Sequence, residues 1–122
     1  MSLRMTPQTK LVLSTAKKLG HASNADILKV VRHNMPDISA TTVHRITTRL
    51  IINNMLSYGP EVGGSMIIDA NTEVHDHFLC KACDGIKDIK IKGEAREAIE
   101  DQVPNLALST SLTITGDCTI CK

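Results

Sequence analysis

Two pairs of cysteines with CxxC spacing constrain the fold of this chain more than any other sequence feature. The pairs are Cys80/Cys83 and Cys118/Cys121. Four thiolates in two such pairs can close a tetrahedral zinc site, and a closed site leaves no coordination position open to a substrate. We therefore expect a structural zinc ion that ties the last strand to an earlier segment. Two disulfides, or thiols without a metal, are the alternatives.

The composition predicts a small protein that needs help to fold. The chain has 122 residues with no Trp, one Tyr and one Phe, so its core must be aliphatic. Small domains bury a lower fraction of their surface than large ones, and a metal or a partner chain can compensate. No apolar run approaches the ~20 residues that span a bilayer, and no signal-peptide pattern opens the chain. We expect a soluble cytoplasmic protein without a membrane partner, and there paired cysteines more often bind zinc than form disulfides.

Charge is distributed unevenly along the chain. Residues 1–58 contain eight Lys or Arg against two Asp, a net charge of +6. Residues 59–122 contain six Lys or Arg against eleven Asp or Glu, a net charge of −5. A basic half followed by an acidic, ligand-rich half indicates a polyanion-binding domain joined to a regulatory one. Two ordinary solvated surfaces are the alternative.

The basic half has the pattern of three short helices. Thr6 can cap a helix that starts at Pro7, and Ser23 with Asp26 resembles the capping box of a second helix. Ser39 can cap a third helix that runs to about residue 53. The outer face of this third helix mixes small hydroxyls with arginine, which can reach phosphates or base edges in the DNA major groove. We predict a recognition helix whose DNA-binding residues are Thr41, Thr42, His44, Arg45, Thr48 and Arg49.

A β-hairpin is predicted after the third helix. Two apolar stretches, residues 55–58 and 65–68, flank the turn-forming residues 59–64. Three helices followed by a hairpin make a winged helix-turn-helix. A small helical bundle whose third helix merely faces water is the alternative.

The acidic half combines short strands with metal ligands. Strands are predicted at residues 78–80, 86–91 and 106–115, with a helix at about residues 93–102 and a hinge between the halves at residues 69–74. His75 and His77 alternate along an extended segment, so both imidazoles project from one face, and Asp69 lies in the hinge. Carboxylate and imidazole donors suit a second divalent ion. The fold class that we predict is α+β.

Taken together, these motifs resemble the ferric uptake regulator superfamily. Residues 69–83, with an HxH motif three residues ahead of the first CxxC, are similar to the hallmark of that family. Residues 116–121 are similar to its C-terminal knuckle, and residues 6–8 and 39–45 resemble its DNA-binding half.

The resemblance implies a homodimeric, metal-responsive transcriptional repressor that binds a double-stranded DNA operator and is not an enzyme. It implies a winged-helix domain at residues 1–68, a hinge at residues 69–74 and an α/β dimerisation domain at residues 75–122, with structural Zn²⁺ on the four cysteines. His21 and Asp88 match the positions of two further ligands of the family. The implied regulatory site, for Fe²⁺ or Mn²⁺ with Zn²⁺ possible in their place, consists of His21, Asp69, His75, His77 and Asp88.

The peroxide-responsive branch of the family is the most similar, because residues 69–72 read Asp-Ala-Asn-Thr. A reversible regulator of iron or another divalent metal needs the same five ligands and is the alternative. His44 stands where relatives carry a base-contacting Tyr, and Asp84 stands where they carry a glycine. An additional metal site of some relatives is incomplete here, and we predict that Asp76 and Glu94 are surface charges.

Two other classes of protein remain open. A redox enzyme could use a CxxC pair, but it would need one thiol of low pKa beside a resolving partner. A zinc-ribbon module could bind protein instead of DNA, although the basic third helix argues against that function.

Overall fold

The computed structural model describes residues 3–103 and 111–120, and the chain divides into two compact units. The first unit is Met1–Thr72 and the second is Glu73–Lys122. Both contain helix and strand, so the α+β class is confirmed.

The first unit contains three helices and three strands. They follow in the order α1 (Pro7–Leu19), β1 (His21–Ser23), α2 (Asn24–Val31), α3 (Ala40–Ile52), β2 (Ser57–Val62) and β3 (Ser65–Asp69). The predicted helices and hairpin are therefore present, and β1 is an addition that a three-residue pattern could not reveal.

Side-chain caps set the helix starts. Thr6 accepts a hydrogen bond from the Thr9 N–H, and Ser39 accepts one from the Thr42 N–H. Ser23 and Asp26 form a reciprocal capping box at the start of α2. Each cap satisfies an N–H group that lacks a partner within the helix, which is why these local sequence signals located the helices.

The three strands form an antiparallel sheet in the order β1-β3-β2. The predicted turn at residues 59–64 is too long, because β2 continues to Val62 and only Gly63 and Gly64 make the turn. Both glycines have positive φ, 57° and 83°, as a two-residue hairpin turn requires. The register shifts between Tyr58 and Glu61, and this irregularity accommodates Pro60, which has no N–H to donate.

The core of the first unit is aliphatic, as the composition predicts. Helix α3 contributes three side chains to it, α1 and α2 close it from the other side, and β3 supplies Ile68. Its buried residues are Val12, Leu13, Ala16, Ala22, Ile27, Val31, Ile38, Val43, Ile46, Leu50, Leu56 and Ile68. This core holds α3 so that its other face remains exposed.

Within residues 73–103 and 111–120, the second unit contains a three-stranded sheet and one helix. Its elements are β4 (Asp76–Cys80), β5 (Ile86–Ile89), α4 (Gly93–Gln102) and β6 (Thr113–Gly116). Strand β4 is central, antiparallel to β5 and parallel to β6. The predicted strand at residues 106–115 is confirmed only in part, because β6 starts at Thr113 and residues 104–110 lie outside the described residues.

The described residues of the second unit bury little apolar surface. Among its described residues, the buried hydrophobic side chains are Leu79 and Cys80, and α4 has no buried residue. Of the helices in the part of the chain that the structure describes, none is long and apolar enough to cross a membrane.

Candidate metal centres and nucleic-acid interface

Three of the four predicted zinc ligands lie together in the second unit. Cys80 ends β4, Cys83 follows in the next turn, and Cys118 comes after β6. Their three Sγ atoms lie within 4.8 Å of one another, because β6 pairs directly with β4. Cys121, the fourth predicted ligand, lies outside the described residues.

The spacing of these thiols fits zinc. The Sγ atoms of Cys83 and Cys118 are 3.9 Å apart, too far for a disulfide bond of ~2.05 Å. In a tetrahedron with Zn–S bonds of ~2.3 Å, two sulfurs stand about 3.8 Å apart. The Cys118 N–H also donates to the Cys80 Sγ atom at 3.3 Å, which favours the thiolate form that a metal needs.

The turn that carries Cys83 is held by backbone hydrogen bonds. The Asp84 N–H donates to the Cys80 carbonyl at 2.9 Å, and the Lys81 N–H donates to the Gly116 carbonyl at 2.7 Å. Asp84 has a φ of 57°, a conformation that glycine adopts at lower cost. A Cβ atom on Gly85 would come within 3.2 Å of the Cys83 Sγ atom, so that glycine leaves room for the thiol.

A second group of donors occupies the same unit. His77 on β4 pairs directly with Asp88 on β5, and His75 precedes β4. The Asp88 Oδ1 atom lies 3.3 Å from the His75 Nε2 atom and 3.7 Å from the His77 Nε2 atom. The two imidazole rings have centroids 4.4 Å apart. The two imidazoles and the carboxylate therefore converge on one small volume.

The orientation of His75 is set by the backbone. Its Nδ1 atom lies 2.6 Å from the Glu73 carbonyl oxygen, which can only accept a hydrogen bond. The proton of a neutral His75 ring is thus placed on Nδ1, and the lone pair on Nε2 is directed to the cluster. Such a bond is the usual way in which a ligand histidine is aligned.

The first unit brings together the other two predicted regulatory ligands. His21 on β1 pairs with Asp69 on β3, and the His21 Nε2 and Asp69 Oδ2 atoms are 3.4 Å apart. The other oxygen of Asp69 accepts a hydrogen bond from the Asn71 N–H at 2.9 Å. Asp69 is 1% exposed. Its predicted place in the hinge is wrong, because pairing with His21 and Ser57 makes it the last residue of β3.

Asp76, which we predicted to be a surface charge, is buried with 1% exposure. It accepts hydrogen bonds from the N–H groups of Ile91 and Leu112, both at 2.9 Å, and pairs with the Arg96 guanidinium. Burial raises the pKa of the Asp76 carboxyl, but these two N–H groups and Arg96 together hold it below its usual range. Asp76 thus joins β4 to α4 and to the start of β6. Glu94 is exposed, as predicted.

The outer face of α3 carries the predicted DNA-binding residues. All of them lie away from the core on a helix whose Val43, Ile46 and Leu50 are buried. Among them Thr41, His44, Arg45 and Arg49 are exposed, and Thr42 and Thr48 are partly exposed. The helix therefore presents hydroxyls, an imidazole and two guanidinium groups to the solvent, a mixture suited to phosphate and base edges.

The described residues thus combine two groups of potential metal ligands with an exposed basic helix. The family model of the ferric uptake regulator family matches residues 1–111. The chain belongs to this family, whose members are metal-responsive DNA-binding regulators and not enzymes.

Individual relatives show the extent of the likeness. The chain is 26% identical over 88 residues to ferric uptake regulation protein 1 of Mycolicibacterium fortuitum, covering 71% of this chain and 55% of that protein. It thus spans about half the length of that relative. The iron-bound ferric uptake regulator of Francisella tularensis superposes with a TM-score of 0.78 at 20% identity, covering 99% of this chain and 96% of that one. The Campylobacter jejuni peroxide stress regulator superposes with a TM-score of 0.69 at 25% identity, covering 92% of this chain and 86% of that one.

Proposed function

We propose that this chain is a metal-dependent, DNA-binding transcriptional repressor in which one divalent ion is held by both units. The observation that carries the proposal is the division of the donors. His21 and Asp69 are paired in the first unit, and three further donors converge in the second. Neither group alone offers the four to six ligands that such ions usually take.

The chemistry of the five donors supports this role. Three imidazoles and two carboxylates, which are His21, His75, His77, Asp69 and Asp88, suit Fe²⁺ or Mn²⁺, with Zn²⁺ possible in their place. A bound ion would supply a link that holds the units at one relative orientation. His21 and Asp69 lie on strands packed against the helical core, so this link would act on the whole first unit.

The thiols would have a separate, structural task. Cys80, Cys83 and Cys118, completed by Cys121, would hold zinc and close the small sheet of the second unit. The few buried hydrophobic residues among those described in that unit support such a clamp. Its exposed apolar side chains support a homodimer, because association would bury Ile99 on α4, Val103 at the end of α4 and Ile114 on β6.

We propose the first unit as a winged helix-turn-helix that binds an operator through α3. Three helices and a hairpin are the elements of that motif. In a dimer, a fixed orientation of the units would set two α3 helices at the spacing of successive major grooves. Metal would therefore favour the DNA-competent conformation, and DNA would tighten metal binding by the same factor.

Peroxide is the signal that we propose. The C. jejuni peroxide stress regulator is 25% identical, and the donors at the regulatory site contain no thiol. Peroxide would then oxidise a histidine that binds Fe²⁺, and the cysteines would be spared. The likeness to ferric uptake regulation protein 1 of M. fortuitum favours a second candidate, a reversible iron regulator that uses the same residues.

The proposal is tested with the full chain kept anaerobic. Binding to a duplex enriched from a random-sequence pool should strengthen with Fe²⁺ or Mn²⁺. A peroxide pulse with Fe²⁺ should add roughly 16 Da to a peptide that contains His21 or His75, and Mn²⁺ should protect. Oxygen found only on cysteines would reject the peroxide signal and favour the reversible iron regulator. Duplex binding that is indifferent to metal would reject the proposed function.

A further inference from the structure

We propose that a groove between the N-terminal segment and α3 holds one sugar–phosphate strand of duplex DNA, and that base reading is left to a separate stripe of α3. This inference rests on the proposed DNA-binding function and assigns different tasks to residues within it. The groove has a volume of about 760 Å³. Leu3, Arg4 and the first turn of α1 form one wall, and the outer face of α3 forms the other.

The lining of this groove suits an anionic polymer. Three arginines, Arg4, Arg45 and Arg49, border it, and none of its lining residues is acidic. Thr6, Thr9 and Thr42 also line it, but their hydroxyls are already hydrogen-bonded, Thr6 with Thr9 and Thr42 with Ser39, so the arginines are the groups that would hold phosphate. Guanidinium groups are among the side-chain groups that contact DNA phosphates. The N-terminal end of the α1 dipole adds charge of the same sign at this wall.

The groove also has an apolar part. Leu3, Ile46 and Ile52 line it, and Ile52 is 72% exposed. A deoxyribose presents a largely apolar face between two phosphates, so a strand can place sugars on these side chains and oxygens on the arginines. A free phosphate or a nucleotide would use only part of this length. The mixture of charge and apolar surface thus favours a continuous backbone.

Helix geometry separates the groove from the rest of the exposed face of α3. Successive residues are rotated by about 100°, so Thr42, Arg45 and Arg49 form one stripe that borders the groove. Thr41, His44 and Thr48 form a second stripe about 100° further around the helix, and none of them lines the groove.

The second stripe is poorly suited to phosphate. It has no arginine or lysine, and the Thr48 hydroxyl donates to the His44 carbonyl at 2.8 Å. His44 and Thr41 are exposed and can reach base edges once the backbone is held in the groove. The stripe that borders the groove would therefore hold the DNA backbone, and the second stripe would contact the bases.

The test uses the full metal-loaded chain and two DNA probes. One is a mixed-sequence duplex without selection, and the other is a random-core pool from which bound duplexes are sequenced. The variants are Arg4→Ala, Arg49→Ala and His44→Ala, and Lys17→Ala is the control, because Lys17 is exposed on the last turn of α1.

Arg4→Ala and Arg49→Ala should each weaken binding to every duplex and reduce the slope of log affinity against log salt by about 0.9, while the enriched sequence stays the same. His44→Ala should change the enriched sequence and leave that slope intact. Lys17→Ala should change neither the salt slope nor the enriched sequence. The groove assignment is wrong if Arg4→Ala keeps the wild-type slope, or if Arg49→Ala changes the enriched sequence instead. A wild-type protein that binds neither probe would refute the proposed function itself.

Discussion

Asp76 is the residue whose replacement should reveal most about the second unit. In Asp76→Asn the side chain keeps its size but has one acceptor oxygen and one NH₂ donor. One of the N–H groups of Ile91 and Leu112 must then face a donor, and the charge opposite Arg96 is lost. The substitution thus removes the central acceptor that joins β4 to α4 and β6.

The expected loss is about 3 kcal/mol. Because the new side chain keeps one acceptor, one bond to a charged group is lost, which costs about 1.5–3 kcal/mol and lies at the lower end for a partly buried pair. The other bond becomes a neutral one and is weaker by about 0.5–1 kcal/mol. Arg96 is 22% exposed, so its ion pair adds at most about 1 kcal/mol. For a small unit this loss is a large part of the total stability.

Amide hydrogen exchange of the zinc-loaded full chain is the direct assay. A loss of about 3 kcal/mol should lower the protection of the Ile91 and Leu112 amides by about 100-fold, since each 1.4 kcal/mol is tenfold. The Val43 amide of the first unit should not change. Glu94→Gln, an exposed acidic residue of α4, is the matched control. Wild-type protection of both amides in Asp76→Asn would refute this account of Asp76.

The effect should also depend on pH. The pKa of the Asp76 carboxyl in the folded chain is below its ordinary value of 3.8. A carboxyl whose pKa is lowered by folding stabilises the fold fully when the pH is above its pKa in the unfolded chain. That contribution is lost as the pH falls through its pKa in the folded chain. The stability difference between wild type and Asp76→Asn should therefore be full at pH 7 and shrink well below pH 4.

Three further substitutions test other parts of the structure. Asp84→Gly should raise the denaturation midpoint by the equivalent of about 0.5–1 kcal/mol, because φ at this residue is 57° and glycine adopts that conformation at lower cost. Asp84→Ala should not raise the midpoint. Equal midpoints for the Gly and Ala variants would contradict the argument that Asp84 is strained. Leu50→Ala should cost about 2–5 kcal/mol in chemical denaturation because Leu50 is fully buried, and a loss below 1 kcal/mol would show that the core does not depend on it. Cys118→Ser should lower the zinc content measured by mass spectrometry of the native protein and weaken the dimer, and a stable zinc-free dimer would refute the structural role of zinc.

Local signals explain what could be predicted from the sequence. The caps at Thr6, Ser23 and Ser39 act within four residues, so they located the three helices of the first unit. The CxxC spacing similarly indicated the thiol cluster, although Cys121 lies outside the described residues.

Contacts between distant residues explain what could not be predicted. Strand β1 exists because His21–Ser23 pairs with β3, more than forty positions later. The same pairing places Asp69 in a strand and not in the hinge. The burial of Asp76 could not be predicted because its partner Arg96 lies twenty residues further along the chain. No pattern within β4 signals that contact.

The central claim is that metal acts on DNA affinity by joining donors of the two units. It is tested most directly by measuring duplex affinity with and without Mn²⁺ for wild type and His21→Ala, with His33→Ala as the control because His33 is exposed on the turn after α2. The duplex is the one enriched by the wild type. Mn²⁺ should tighten wild-type and His33→Ala binding by about 5–150-fold, the usual range of allosteric coupling. His21→Ala should keep its zinc and its metal-free DNA affinity but lose this gain, and a His21→Ala protein that responds to Mn²⁺ as the wild type does would contradict the account.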